Sequence, residues 1–326
     1  MRILKATYGS SDHALDVTER LQGLVKNGHL FLTVSNSLFS DPCPGRFKTL
    51  RFAFDLPGGN QFYFHEVEEH RIVLAPTVGT KLAPESSAAA RYLDLLKQCL
   101  TRMIFHDLDP SVDPAQREEG HDWPKEGETM VGLRRLDNVQ QCIEDILRSK
   151  VPGDLLEAGV WRGGTTILMR AALEAYGDRG RRVWVADSFE GVPKPNAALY
   201  PMDQHDALWT FQELAIPLEQ VARNFARYGL LDDRVRFLKG WFKDTLPHAP
   251  IAQLAVLRLD GDLYESTMDV LRPLYPKLSA GGYAIIDDYK LIPQVRQAVD
   301  EYRGEQGITE PLQDVDWNAV YWQRAR

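Results

Sequence analysis

Apolar and polar positions along this 326-residue chain change rhythm near residue 80. Before that point, short runs rich in aromatic and β-branched residues (MRILKATYG, GHLFLTVSN, KTLRFAFDL, NQFYFHEVEEHRIVLA) alternate with turn formers such as Pro44 with Gly45, and Pro57, Gly58, Gly59 and Asn60. FAFDL and QFYFHEVEE alternate residue by residue, the period of half-buried strands. The segment ALDVTERLQGLVKNG reads as helix or strand. Residues 1–75 therefore predict a small all-β domain, an antiparallel sandwich or meander. Residues 76–87 (PTVGTKLAPESS) hold two prolines, one glycine and no apolar period, which predicts a linker.

Beyond it the period lengthens. AAARYLDLLKQCLTRMIF sets Tyr92, Leu95, Leu96, Cys99, Leu100 and Met103 at helical spacing. A polar stretch near 107–128 predicts a loop, and a second helix carries Leu133, Leu136, Val139, Ile143 and Ile146 on one face. From Gly153 onward, compact apolar runs (DLLEAGV, RVWVADS, RVRFLKG, AVLRLDGD, YAIIDDY) alternate with helical stretches (TTILMRAALEAYG, LEQVARNFARYGL, ESTMDVLRPLYPKL). Strand-helix alternation of this kind predicts an α/β fold with a doubly wound, mainly parallel sheet over residues 88–326. The tail VDWNAVYWQR predicts one more strand, antiparallel at the edge. No internal repeat or low-complexity tract interrupts the pattern.

A net charge of −8 argues against a broad nucleic-acid footprint, which is usually basic. No run is long enough to span a bilayer, and the N-terminus lacks a signal-peptide core. Three scattered cysteines (Cys43, Cys99, Cys142) make neither a disulfide framework nor a zinc pattern, so a cytoplasmic protein without membrane or nucleic-acid partners is expected.

In open parallel sheets, ligands sit outside the carboxyl ends of the strands, so the residues there carry the chemistry. After the first strand comes Glu157-Ala158-Gly159-Val160-Trp161-Arg162-Gly163-Gly164-Thr165. Gly159 permits a tight turn, and Gly163 with Gly164 opens a helix whose free N–H groups can face a polar ligand. The pattern is E-x-G-x-x-x-G rather than G-x-G-x-x-G. An acidic residue leading the loop suits a cofactor with a cationic amino group and no pyrophosphate, such as S-adenosylmethionine; a plain strand-helix turn is the alternative. Asp187, about 30 residues after Glu157, stands where a carboxylate accepts hydrogen bonds from ribose hydroxyls. Alone it reads equally as a surface residue or the cap of SFEGVP. Trp241, after RVRFLKG, is a candidate for adenine contact, with core packing as the alternative.

The fourth and fifth strands end in Asp260, Asp262, Asp287 and Asp288. Asp260 and Asp262 are two apart, so a strand would point them the same way. Carboxylates gathered this closely raise one another's pKa values, and a hard cation relieves the repulsion. An all-oxygen set suits Mg²⁺ or Ca²⁺ rather than zinc. Such an ion would bind a substrate hydroxyl and lower its pKa, leaving one carboxylate to take the proton. Helix capping is the structural alternative.

Residues 92–322 resemble the macrocin O-methyltransferase family. The motifs are DWP at 122–124, TMVGLRRLDN at 129–138, GDLLEAGVWRGGTTILMRA at 153–171, DSFEGVP at 187–193 and YGLLDDRVRFLKGWFKDTLP at 228–247. LRLDGDLYESTMDVL at 257–271, GGYAIIDDY at 281–289 and VYWQR at 320–324 complete the series. The resemblance implies a class I methyltransferase fold and transfer of a methyl group from S-adenosylmethionine to a sugar or phenol hydroxyl of a natural product. It implies Asp260, Asp287 and Asp288 as Mg²⁺ ligands and Asp262 as general base. Thr129, Met130, Glu157, Gly159, Asp187 and Ser188 fall on cofactor motifs. Lys290 stands where the family more often has a small residue, which bears on the shape of the acceptor entrance. Through KATYGS, DVTERL, VSNSLFSDPCPGRFKTLRFAF and the later EVEE, residues 8–74 are similar to a small β domain of unknown function at the end of some DnaJ-type proteins. The likeness implies no chemistry, the segment reads as an interaction or oligomerisation module, and a homo-oligomer is expected.

Two rival readings remain at this point. A nicotinamide-dependent oxidoreductase shares the doubly wound sheet but lacks its glycine fingerprint here. A non-catalytic scaffold leaves the carboxylate cluster without a purpose. Residues 195–216 form a candidate lid over the acceptor, in which His205 and Trp209 either touch substrate or lie solvated.

Overall fold

Strand-rich and helix-rich stretches separate into two units in a computed structural model of the chain: Met1–Ser86 with Phe105–Ser111, and Ser87–Ile104 with Val112–Arg326. The structure describes residues 1–10, 13–26, 29–46, 48–55, 61–67, 71–74, 87–108 and 113–325. The predicted turn at 57–60 and the predicted linker, apart from Ser87, lie outside them.

In the first unit, Arg2–Gly9 pairs with Ala14–Asp16 on one side and Thr49–Asp55 on the other, and Gln61–Val67 completes an antiparallel sheet. A second antiparallel sheet joins Val25–Lys26, His29–Thr33 and Arg71–Leu74. Ile3 and Tyr8 from the first sheet share a core with Leu30 and Leu32 from the second. The expected small β domain is present, with short helical segments beside its sheets. The ambiguous segment divides into strand, helix (Thr18–Leu24) and strand, and Asn36–Phe39 adds a helical turn. Leu21 is the one buried residue of the longer helix, too little to print a period on the sequence.

In the second unit the strands are β1 (Asp154–Ala158), β2 (Val183–Asp187), β3 (Val235–Lys239), β4 (Leu254–Leu259), β5 (Leu278–Ile286), β6 (Gln313–Asp314) and β7 (Val320–Gln323). They form one sheet in the order β3-β2-β1-β4-β5-β7-β6. β1 to β5 run parallel, and β7 runs antiparallel to both β5 and β6. This is the class I methyltransferase architecture. The outermost strand is the two-residue β6, too short to be read from alternation, so the tail strand expected at the edge sits one place inside it. β4 is buried along its whole length, as a central parallel strand covered on both faces must be.

The helices are α1 (Ala88–Leu100), α2 (Pro114–Glu119), α3 (Leu133–Arg148), α4 (Gly164–Ala175), α5 (Leu218–Arg227), α6 (Phe242–Thr245), α7 (Tyr264–Leu274) and α8 (Pro293–Glu305). α1, α3 and α4 share a core with Leu155 and Val183 on one face of the sheet, and α7 and α8 with Leu156 and Trp184 on the other. Of the residues set at helical spacing in α1, Leu96 and Leu100 are buried together with Leu93, whereas Tyr92 and Leu95 are exposed. Its apolar residues cover more than half its circumference, so spacing alone could not choose. α2 lies inside the stretch expected to be loop. Asp113 caps it, Pro114 opens it and Gly120 closes it at φ 72°, but its one buried residue is Arg117. Among the described residues, no helix is long and apolar enough to cross a membrane.

Candidate active site

The carboxyl ends of β1, β2, β4 and β5 open onto a cavity of about 480 Å³, the place where doubly wound sheets bind ligands. Gly159 fixes the geometry there. Its φ is +83°, and a Cβ would lie 1.6 Å from the Asp260 carbonyl oxygen, so only glycine lets the exits of β1 and β4 approach this closely. Gly164 plays the same part against a second segment. Its N–H donates to the Glu128 carbonyl at 2.8 Å, and a Cβ would lie 2.6 Å from that oxygen. The buried Arg117 guanidinium donates to the Met130 and Val131 carbonyls at 2.7 Å. Thr129 and Met130 are thereby held in the cavity wall.

Glu157, next to last in β1, lies in the wall and is almost fully buried. One oxygen pairs with Arg258, and Oε2 has no hydrogen-bond partner among the described residues. Burial pushes Glu157 up to about 8 against the pull of Arg258. A cationic amino group satisfies such an oxygen. Asp187 ends β2, where Oδ2 accepts the Val160 N–H and Oδ1 the Phe189 N–H, each at 2.8 Å. Burial raises its pKa and these N–H groups oppose the rise. The carboxylate thus forms its own turn, ties β2 to the glycine loop and lines the cavity. Ser188 closes the same turn through Gly191 and Glu190. Trp241, at the start of α6, also lines the cavity.

The four aspartates do not stand alike. One oxygen each from Asp260, Asp262 and Asp288 lies within 4.8 Å of the others. Asp262 reaches this group by a different route from the expected strand alternation. β4 ends at Leu259, and Asp262 sits beyond it in a left-handed turn at φ +61°. Asp287 is buried between Arg135 at 2.7 Å and Arg258 at 2.5 Å, which hold its pKa low against the effect of burial. Asp288 Oδ1 accepts from Asn318 at 3.0 Å, and its buried Oδ2 has no hydrogen-bond partner among the described residues. Burial and then the neighbouring acids push Asp262 up to about 8 and Asp288 up to about 7. Asp260 is raised well above the carboxylate range by burial and Asp287. Three carboxylates this close cannot all ionise without a counter-charge, so the donor set fits a hard cation.

Sequence reasoning missed Arg135, Arg258 and Asn318. Arg258 had left a signal: one arginine inside the apolar run AVLRLD, a charge that a buried strand must pair. Arg135 and Asn318 had none, because their partners are distant in sequence. In the predicted lid, three short 3₁₀ turns (Pro201–Asp203, Leu208–Thr210, Gln212–Leu214) bring Leu208 and Leu214 to the cavity. His205 and Trp209 are solvated, and Trp209 lies under Lys194, 5.1 Å from its Nζ. Lys290 pairs with Asp314 at 2.9 Å and the Asp316 carbonyl at 2.7 Å, away from the cavity lining.

Residues 108–324 match the family model described as macrocin-O-methyltransferase (TylF). A Streptomyces olivaceus protein named 8-demethyl-8-(2,3-dimethoxy-α-L-rhamnosyl)-tetracenomycin-C 4'-O-methyltransferase is 56% identical over 241 residues, covering 71% of this chain and 91% of that one. Demethyldecarbamoylnovobiocin O-methyltransferase of Streptomyces niveus is 49% identical over 263 residues, covering 78% and 100%. Mycinamicin III 3''-O-methyltransferase of Micromonospora griseorubida is also 49% identical, covering 77% and 100%. The solved structure of the O-methyltransferase NovP superposes with a TM-score of 0.70 at 51% identity, over 73% of this chain and 100% of that chain.

Proposed function

The chain belongs to the macrocin O-methyltransferase family of S-adenosylmethionine-dependent enzymes, and on that premise we propose that it methylates a sugar or phenol hydroxyl of a natural product in a Mg²⁺-dependent reaction. The observation that carries this reading is the cavity itself. Glu157 and Asp187 line one part of it, and the crowded Asp260, Asp262 and Asp288 line another. Such a site takes a cationic cofactor and a hydroxyl acceptor together. The relatives' names support the acceptor class, since one names a rhamnosyl group and two others demethyldecarbamoylnovobiocin and mycinamicin III.

In this reading Glu157 accepts from the amino group of the cofactor and Asp187 from its ribose. Thr129, Met130, Gly159 and Ser188 shape the wall, and Trp241 packs on the adenine. Asp260, Asp287 and Asp288 would hold the ion, whose chemistry when bound is to lower the pKa of the acceptor hydroxyl. Asp262 takes the acceptor proton. One observation favours a second arrangement, in which Asp262 is the third ligand and Asp287 a strut: Asp262 belongs to the close group, whereas Asp287 already faces two arginines. A nicotinamide oxidoreductase and a scaffold leave the cluster unexplained.

We propose further that residues 1–75 are an interaction or oligomerisation module of a homo-oligomer, joined through 76–87 to a catalytic domain at 88–326. The superposition on NovP supports the division into two domains, since it uses all of that chain and leaves about a quarter of this one without a counterpart. Three unpaired cysteines fit a cytoplasmic location. The test is methyl transfer from S-adenosylmethionine to a panel of glycosylated and phenolic acceptors. We expect turnover that EDTA stops and Mg²⁺ restores. No transfer to any hydroxyl, or a rate indifferent to EDTA, contradicts the reading.

A further inference from the structure

Helix α7 starts two residues after Asp262, and its first N–H groups need partners from outside the helix. The side chain of the N-cap residue usually supplies one. Here that residue is the buried Leu263, which has nothing to offer. Asp203, the last residue of the lid turn Pro201–Asp203, takes the position instead. Its Oδ1 accepts the Tyr264 N–H at 2.9 Å and its Oδ2 the Glu265 N–H at 3.0 Å. Asp203 has no exposed surface. A carboxylate across the positive end of a helix is favourably placed, and this one comes from 61 residues away.

The fastening matters because of what precedes α7. Asp262 holds a left-handed backbone, which Asp tolerates better than most side chains but which still depends on its surroundings to be held. Upstream, the Asp260 N–H is tied to the Ala158 carbonyl at 2.8 Å. Downstream, the tie is the first turn of α7. Leu263 N–H donates to the Gly261 carbonyl at 2.7 Å, and Thr267 returns its N–H and hydroxyl to the Leu263 carbonyl at 3.0 and 2.7 Å. Tyr200, before the lid turn, packs its ring against Tyr264, whose hydroxyl donates to Glu301 at 2.6 Å. Near its other end, the lid is tied to the cofactor loop, where Trp161 Nε1 donates to the Glu213 carbonyl at 2.8 Å.

We propose that Asp203 is a positioning residue for methyl transfer: it couples the lid to the turn that carries Asp262, so that the acceptor wall and the proton acceptor take their places together. This rests on the reading of Asp262 as the base.

The experiment compares Asp203→Ala and Asp203→Asn in the full chain. It measures kcat and acceptor KM per cofactor-binding site, the S-adenosylmethionine Kd, and amide hydrogen exchange over Tyr264 and Glu265. Asp203→Ala should speed exchange at those two amides and lower kcat about 10–100-fold, the scale of a misplaced reacting group. Its cofactor Kd should stay within about twofold of wild type, because Asp203 touches none of the cofactor wall. Asp203→Asn, nearly isosteric and keeping one acceptor oxygen, should recover part of both, and it carries the test alone if the alanine variant does not fold. Unchanged exchange overturns the fastening. Faster exchange with an unchanged kcat overturns the positioning role. A fall in cofactor affinity equal to the fall in kcat marks general damage and also overturns it. Failure of the underlying reading looks different: the wild-type chain then transfers no methyl group, while exchange at Tyr264 still responds to the substitution.

Discussion

Arg258 Nη2 lies 2.5 Å from Asp287 Oδ1, and the same guanidinium pairs with Glu157 and, at 3.2 Å, with Asp260. One buried cation next to the last residue of β4 therefore serves Glu157 and the acidic cluster at once. Removing one partner of a buried ion pair leaves the other charges uncompensated, at a cost of about 3–5 kcal/mol. Arg258→Met should lower the unfolding free energy by that order in urea titrations. Arg258→Lys keeps the charge without the planar fork and should recover only part of it. A loss below about 1 kcal/mol in Arg258→Met would mean that the carboxylates compensate one another by taking up protons.

Asp187→Ala should weaken S-adenosylmethionine binding by about 2–4 kcal/mol, the value of two charge-assisted hydrogen bonds. The carboxylate also holds the Val160 and Phe189 N–H groups, so part of the loss is local geometry. Asp187→Asn keeps the shape and should fall between the two. Calorimetric titration with the cofactor reads the difference, and an unchanged Kd in both variants would place the ribose elsewhere.

The fold of the second unit was legible because buried parallel strands print continuous apolar runs, and the runs of β1, β2, β4 and β5 lead into residues that line the cavity. Glu157, Gly159, Asp187, Asp260 and Asp288 could be found this way. Asp262 could be named but not placed, because its position depends on one left-handed residue rather than on strand alternation. Arg135, Asn318 and Asp203 work through partners 30 to 181 residues away, and a local pattern carries no trace of them. The short helices Thr18–Leu24 and α2 bury one residue each, so they had no period to read.

Acid should loosen the second unit through Asp232. Hydrogen bonds from Arg170, at 2.5 Å, lower this carboxylate to about 2 in the folded chain, below its ordinary value of roughly 3.9. A carboxylate depressed by folding contributes stability that is complete above the unfolded pKa and disappears as pH falls through the folded one. Asp232→Asn should therefore flatten the dependence of Tm on pH between about 4 and about 2, relative to wild type. Identical slopes in that window would show that the pair contributes nothing.

A chain beginning at Ser87, the residue whose hydroxyl caps α1, should fold and bind S-adenosylmethionine with a Kd within about threefold of the full chain, since every cavity-lining residue lies after it. Light scattering on both chains reads the oligomeric state, which the proposed module predicts to fall on truncation. Loss of folding would make the first unit part of one core with the second.

The central claim, that Asp262 takes the proton while Asp260, Asp287 and Asp288 hold Mg²⁺, is tested most directly by titrating Mg²⁺ into Asp262→Asn and Asp287→Asn and following binding by calorimetry beside turnover. Asp262→Asn is nearly isosteric and should keep the ion's affinity while losing about 10²–10⁴-fold in rate, the contribution of general base catalysis. Asp287→Asn should lose affinity and rate together. If Asp262→Asn loses Mg²⁺ and Asp287→Asn retains it, the close group of Asp260, Asp262 and Asp288 is the metal site and the assignment of the base is contradicted.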